Sequence, residues 1–199
     1  MSTKNPVLEY YNTHADTFFQ ETVSLSQPAG MEPFTSLCPA PAHILDAGCG
    51  SGRDSMTFLK KGYTVTAFDG SKELAARASR YTGLTVHILN FLDLDWTEQF
   101  DGVWANASLQ HLPYTTLPKG FLRLAQALRT GGIMGLSFKY GTTEGRSEQR
   151  GIPYSGMDET RLRSLLPTAS LREEKIWVNE DSRKERKGAK WLHAMLSKY

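Results

Sequence analysis

Two periods of apolar and polar positions take turns along this chain, and each change of period marks an element. Residues 5–22 place Leu8, Tyr11, Ala15, Phe18 and Phe19 three or four positions apart, which predicts an amphipathic helix. Prolines at 28, 33, 39 and 41 make residues 23–42 a connector with at most a short helix around residues 32–37. From residue 43 onward, short β-branched or aromatic runs alternate with helical periodicity. Strands are predicted in the run ending at Asp46 and at residues 62–69, 85–90, 100–106 and 133–140. Helices are predicted at residues 53–61, at 72–81 with Ser71 as N-cap, and at 117–129, with Pro118 in the first turn and Gly131 and Gly132 as the stop. Such alternation argues for a parallel sheet covered on both faces by helices. Asp158 then caps a helix at residues 159–166, and residues 171–179 and 190–196 read as a final pair of strands.

The first strand runs into the stretch HILDAGCGSGRDS at residues 43–55. Its spacing Gly48-x-Gly50-x-Gly52 permits positive φ angles and brings bare backbone close to a ligand, as a nucleotide-binding turn requires. A dinucleotide fingerprint would need a further glycine where Arg53 stands, so that the pyrophosphate could meet the helix N-terminus. The next strand ends in Asp69, roughly 20 residues past the glycines, where a carboxylate accepts both ribose hydroxyls. These residues describe an adenosine-cofactor site, the alternative being a structural Rossmann-like domain that no longer binds one.

The pattern Asp46-x-Gly48-x-Gly50-x-Gly52 resembles the first motif of class I S-adenosylmethionine-dependent methyltransferases. More narrowly, the runs GCGSGRDS, FDGVWANASLQHLP, SFKYG and KWLHAMLSK are similar to the small bacterial tellurite-resistance-type methyltransferase group. The resemblance implies an α/β, Rossmann-like, doubly wound sheet of seven strands, mostly parallel with the last strand antiparallel. It also implies S-adenosylmethionine as cofactor, held by Asp46, Gly48, Cys49, Gly50 and Gly52 in the first turn. Asp69 and Gly70 follow at the second strand's end, and Asn90, Phe91 and Asn106 at later strand ends. In the family an acid usually stands at the Asn90 position; Asn90 accepts through its side-chain oxygen without the charge, and Asp93 is the substitute, the alternative being that both belong to a solvated loop. A tyrosine of the N-terminal helix, Tyr10 or Tyr11, commonly faces the site in these proteins; the alternative is that both pack the helix on the core.

Acceptor chemistry is expected at the exit of the fourth strand, Asn106-Ala-Ser-Leu-Gln-His111, because open α/β sheets bind ligands at strand carboxyl ends. The Asn/Asp-Pro-Pro-aromatic tetrad of enzymes that methylate base amines is missing there. His111 is the candidate general base and substrate contact, or else it packs the loop. Lys139, Tyr140, Arg146, Arg150 and Tyr154 either form a lid that draws in an anionic substrate or belong to a solvated loop.

At 199 residues and 22.2 kDa one domain is expected over residues 1–199. It divides into a helical cap and connector at 1–42, a cofactor-binding core at 43–140, and a lid-like loop, helix and strand pair at 141–199. The two cysteines, with Cys49 read as packing rather than nucleophile, and the five scattered histidines match no metal framework, so no metal is expected. No leader or membrane-spanning run is legible, which makes the cytoplasm the expected location and leaves no membrane role. A net charge of +2 says little about partners, yet Arg183, Lys184, Arg186, Lys187 and Lys190 cluster in one stretch, which either contacts RNA phosphates or is a solvated turn. The reading is S-adenosylmethionine-dependent methyl transfer to a small acceptor (a thiol, a chalcogen oxyanion or a small metabolite) by a monomer or homodimer. The alternatives are an RNA methyltransferase and a non-catalytic cofactor-binding protein that acts through a partner.

Overall fold

The computed structural model describes residues 5–181 and 188–199. Successive residues of the first strand, β1 (His43–Ala47), point to opposite faces, and this sorts the apolar residues into two clusters. Ile44 packs with Phe34, Phe58, Val65 and Trp104 on one face. Leu45 packs with Phe68, Val103, Phe121, Leu124 and Leu136 on the other. Helices α3 (Met31–Leu37), α4 (Arg53–Lys60) and α5 (Lys72–Thr82) cover the first cluster, and α6 (Leu117–Ala127) covers the second.

The remaining strands are β2 (Thr64–Asp69), β3 (His87–Ile88), β4 (Phe100–Asn106), β5 (Leu128–Lys139), β8 (Leu171–Glu180) and β9 (Lys190–Lys198). With β1 they form a seven-stranded sheet in the order β3-β2-β1-β4-β5-β9-β8. Pairing is parallel from β3 through β5, and β9 runs antiparallel to both its neighbours. The sheet is thus doubly wound, with its last strand reversed, as the resemblance implied. The carboxyl ends of β1, β2, β4 and β5 open on one edge, where the order departs in both directions from β1.

Four local expectations change. The N-terminal helix is two helices, α1 (Pro6–Thr13) and α2 (Ala15–Thr22), because His14 leaves the helical range at φ −109° and ψ 22°. The third strand shrinks to His87–Ile88, an edge pair with both residues exposed. Helix α6 stops at Ala127 rather than 129, because Leu128 already pairs with Phe100 in the sheet. Gly131 and Gly132 therefore lie inside β5 at an irregularity in register, where a Cβ on Gly132 would come within 2.9 Å of the carbonyl oxygens of Arg129 and Asp101. Finally, the polar stretch after β5 contains a hairpin, β6 (Glu144–Arg146) with β7 (Pro153–Ser155), followed by helix α7 (Glu159–Leu165). Among the described residues no helix is long and apolar enough to cross a membrane.

Candidate functional site

Above the carboxyl ends of β1, β2, β4 and β5 lies a cavity of about 970 Å³, roofed by α1, α2 and the hairpin. At the β1 exit the chain reverses, and the N–H groups of Gly48 and Cys49 both donate to Phe68 O, at 2.9 and 3.0 Å. Gly48 has φ +75°, and a Cβ there would sit 2.6 Å from Ser108 Cβ. Only glycine lets this turn and the β4 exit approach so closely.

Asp69, at the end of β2, is locked by backbone. Its Oδ2 accepts the Gly50 N–H at 2.9 Å and its Oδ1 accepts the Ser71 N–H at 2.8 Å. Each oxygen retains a lone pair for a further donor. Ser71 caps α5, and its hydroxyl also donates to Asn12 Oδ1 at 2.8 Å, which ties α1 over this end. Leu8 and Tyr11 line the cavity from α1, together with Gly70. Asn90 and Phe91 follow β3; Asn90 Nδ2 donates to Asp93 Oδ2 at 2.9 Å, so the two polar candidates act as one pair.

Asp46 is 3% exposed and accepts a hydrogen bond from the Ser55 hydroxyl. Burial first, then the Asp54 carboxylate nearby, pushes its pKa up to about 7. Asp54, which sequence reasoning passed over, is a hub. Its Oδ2 accepts from Trp104 Nε1 at 2.9 Å and Asn106 Nδ2 at 3.0 Å, and its Oδ1 faces Arg53 Nε at 2.7 Å. The available signal was an acid in the first turn of the helix leaving the glycine turn, one residue past an arginine. Asn106 is consumed in this network, since its Oδ1 also accepts the Ser137 hydroxyl at 2.7 Å. Burial pushes the Cys49 thiol well up, which suits packing and disfavours a thiolate.

His111 sits in the short turn after β4. Its Nδ1 faces the Pro153 carbonyl at 3.0 Å, which can only accept, so Nδ1 carries a proton. Burial pushes the imidazolium pKa down, so the ring is neutral and Nε2 accepts the Tyr11 hydroxyl at 3.1 Å. Burial likewise pushes the Tyr11 phenol up to about 12. One imidazole thus joins cap helix, β4 exit and hairpin. A second tie is Arg150, whose Nη2 lies 2.8 Å from Glu21 Oε2 and whose guanidinium lies 4.9 Å from the Phe18 ring.

Lys139 also lines the cavity, with its ammonium 3.9 Å from the centre of the Tyr154 ring. Tyr140 and Arg146 do not. Tyr140 is 42% exposed and its hydroxyl donates to Glu159, while Arg146 Nη1 donates to Gly151 O within the hairpin. The chain leaves the sheet at Gly141, and strand alternation turns residue 140 away from the face that holds residue 139. Asn179, Trp191 and His193 line the far end of the cavity from β8 and β9, and no sequence expectation included them. Most of the basic run, Arg183 to Lys187, lies outside the described residues. Among the described residues no group of three His, Cys, Asp or Glu side chains is set to hold a metal.

Sheet order and the reversed last strand define a Rossmann-like, doubly wound fold. Within it, residues 44–132 match the profile of the methyltransferase domain family. Malonyl-acyl-carrier-protein O-methyltransferase of Enterobacter lignolyticus is 33% identical over 96 residues, covering 47% of this chain and 37% of that protein. Trans-aconitate 2-methyltransferase of an Acidovorax species is 33% identical over 100 residues, covering 48% and 38%. The matched segment therefore spans less than two-fifths of each of these relatives. The crystal structure of a Burkholderia thailandensis 1,6-didemethyltoxoflavin-N1-methyltransferase, with 1,6-didemethyltoxoflavin and S-adenosylhomocysteine bound, has a TM-score of 0.72 to this chain at 24% identity, covering 100% of this chain and 91% of that one.

Proposed function

We propose that this chain transfers a methyl group from S-adenosylmethionine to a small-molecule acceptor held in the same cavity. One observation carries the reading: a single cavity joins a backbone-locked Asp69 and the glycine turn to the ends of β4 and β5, with no wall between the cofactor end and the acceptor end. Its volume of about 970 Å³ lies at the top of the range of roughly 300–1,000 Å³ for one drug-sized ligand, which leaves space for an acceptor beside a cofactor.

The donor set fits the cofactor. Asp69 has lone pairs left for ribose hydroxyls, Asn90 with Asp93 and Phe91 flank the adenine end, and Asp46 with the Gly48–Gly50 turn offers acceptors to an ammonium. Tyr11 stands in the cavity and Tyr10 does not, which favours Tyr11 as the cap residue at the site. When bound, S-adenosylmethionine supplies a sulfonium methyl already activated for in-line displacement. The chain's own work is then positioning and water exclusion. Helices α1 and α2, latched to the hairpin through His111 and Arg150, perform the second task. His111 serves as positioning group in this arrangement, because both its nitrogens are already engaged.

Among the described residues, five aspartates (Asp46, Asp54, Asp69, Asp93 and Asp181) and three cations (Arg53, Lys139 and Arg150) line the cavity. That excess of acid suits a cationic cofactor.

Calorimetric titration of S-adenosylmethionine and S-adenosylhomocysteine into wild type and Asp69→Ala tests the reading. Wild type is expected to bind both, and the variant to lose about 1–3 kcal/mol through missing charge-assisted hydrogen bonds. If wild type binds neither ligand, the reading fails.

A further inference from the structure

Arg53 stands where a dinucleotide turn would place a further glycine, and it opens α4 directly after Gly52. A side chain there closes the turn to a pyrophosphate and puts a guanidinium in the wall of the cavity. That side chain is 19% exposed and is aimed by a network. Its Nε donates to Asp54 Oδ1 at 2.7 Å, and Asp54 Oδ2 is in turn held by Trp104 Nε1 and Asn106 Nδ2. The two Nη groups make no hydrogen bond among the described residues, and neither is sealed from solvent. Arg53 thus offers the cavity a free pair of N–H-bearing nitrogens on an anchored plane.

A guanidinium anchored through Nε with both Nη groups open is shaped for the two oxygens of a carboxylate. Its surroundings narrow the choice. The Asp46 carboxyl feels the charges of both Arg53 and Asp54, and all three residues line the cavity. A lone anion would meet Arg53 with two acids beside it, which offsets much of the attraction. A carboxylate with an ammonium on the neighbouring carbon balances both signs. We propose that Arg53, aimed by Asp54, receives the carboxylate of an α-amino-acid group whose ammonium turns to Asp46. The proposal deepens the methyl-transfer reading and rests on it, because S-adenosylmethionine carries such a group on its sulfur. An amino-acid acceptor would carry the same chemistry. The cofactor is the favoured source, since Asp46 and Arg53 bracket the glycine turn. One side chain then shuts out a dinucleotide and reads the amino-acid end of the cofactor.

S-adenosylhomocysteine and 5′-methylthioadenosine share adenosine and a thioether sulfur, and only the first carries an amino-acid group. Both are titrated by calorimetry into wild type, Arg53→Met and Arg53→Lys, with thermal melts to confirm folding. Arg53→Met is expected to weaken S-adenosylhomocysteine about tenfold or more while 5′-methylthioadenosine stays within about twofold of wild type. Arg53→Lys keeps the charge without the fork and is expected to fall between wild type and Arg53→Met; it decides alone if Arg53→Met does not fold. L-homocysteine, titrated into protein saturated with S-adenosylhomocysteine, tests the other source. Loss of its binding on substitution, with S-adenosylhomocysteine affinity unmoved, assigns the clamp to an amino-acid acceptor. In the folded variants, equal weakening of both adenosine ligands overturns the proposal, as does S-adenosylhomocysteine affinity that matches wild type with no loss of L-homocysteine binding. If wild type binds neither adenosine ligand, the methyl-transfer reading falls and takes the clamp with it. If wild type binds both and only the Arg53 comparison fails, that reading stands without the clamp.

Discussion

At the Asp69 end of the cavity, functional geometry is made by backbone: Gly48, Cys49, Gly50 and Ser71 all use main-chain N–H groups, and the residues involved lie within 25 positions of one another, from Asp46 to Ser71. At the β5 end it is made by side chains from remote segments. Tyr11 meets His111, His111 meets Pro153, Arg150 reaches Glu21, and Asn179 and His193 arrive from the last two strands. A backbone-built end constrains residue type at every position, because φ and Cβ clearance are at stake. A side-chain-built end constrains only what projects into the cavity, so the acceptor can change while the scaffold stays.

The sharpest way to break this contrast is Gly48→Ala. The new Cβ would sit 2.6 Å from Ser108 Cβ at a backbone φ of +75°, and Ser108 is itself held by donating its hydroxyl to Ala47 O at 2.6 Å. A loss of about 2–4 kcal/mol in stability is expected, together with loss of cofactor binding. Guanidinium denaturation and calorimetry measure the two. If the variant folds with wild-type stability, the turn is not the rigid end argued for.

Asp46→Asn tests the same end through charge. Asp46 has its pKa raised from an ordinary carboxylate value near 4 to about 7 in the fold, so the folded state binds more protons between those two pH values. The sign follows: its contribution makes wild-type stability fall as pH rises from about 4 to 7, and level off above. Asparagine removes that slope. Relative to wild type the variant is expected to gain up to about 4 kcal/mol by pH 7.5, with little difference at pH 4, and to bind the cofactor more weakly. Denaturation curves between pH 4 and 8 check it, and identical slopes in both proteins would sink the account.

The difference between the ends also decides what could be read from the chain. Glycine spacing and Asp69 are local, so the turn and its acidic partner were legible, as was the sheet they belong to. Asp54 escaped because its partners, Trp104 and Asn106, lie about 50 positions away and only the folded sheet brings them together. Asn179 and His193 required the register of β8 against β9, which their alternating pattern alone does not fix. Tyr140 was grouped with Lys139 by chain neighbourhood, whereas strand alternation sends adjacent side chains to opposite faces. The kink at His14 and the early end of α6 are boundary effects set by pairing and packing rather than by periodicity.

Tyr11→Phe probes the side-chain end at its smallest unit. It keeps the ring, which packs edge-on against His111 at 5.6 Å and Phe18 at 5.1 Å, and removes the hydroxyl donated to His111 Nε2. That donation favours the neutral imidazole, so its loss is expected to raise the His111 pKa while lowering stability by only about 0.5–1.5 kcal/mol. Because Nδ1 still donates to Pro153 O, the tautomer is retained, and the hairpin keeps one of its two ties to the cap through Arg150 and Glu21. Side-chain NMR of the His111 ring across pH reads the first effect, and limited proteolysis within residues 144–155 reads the second as a modest rise in cleavage. A His111 titration unmoved by the substitution would mean that the phenol is not the donor to Nε2, and the cap would then be held to the acceptor end by packing alone.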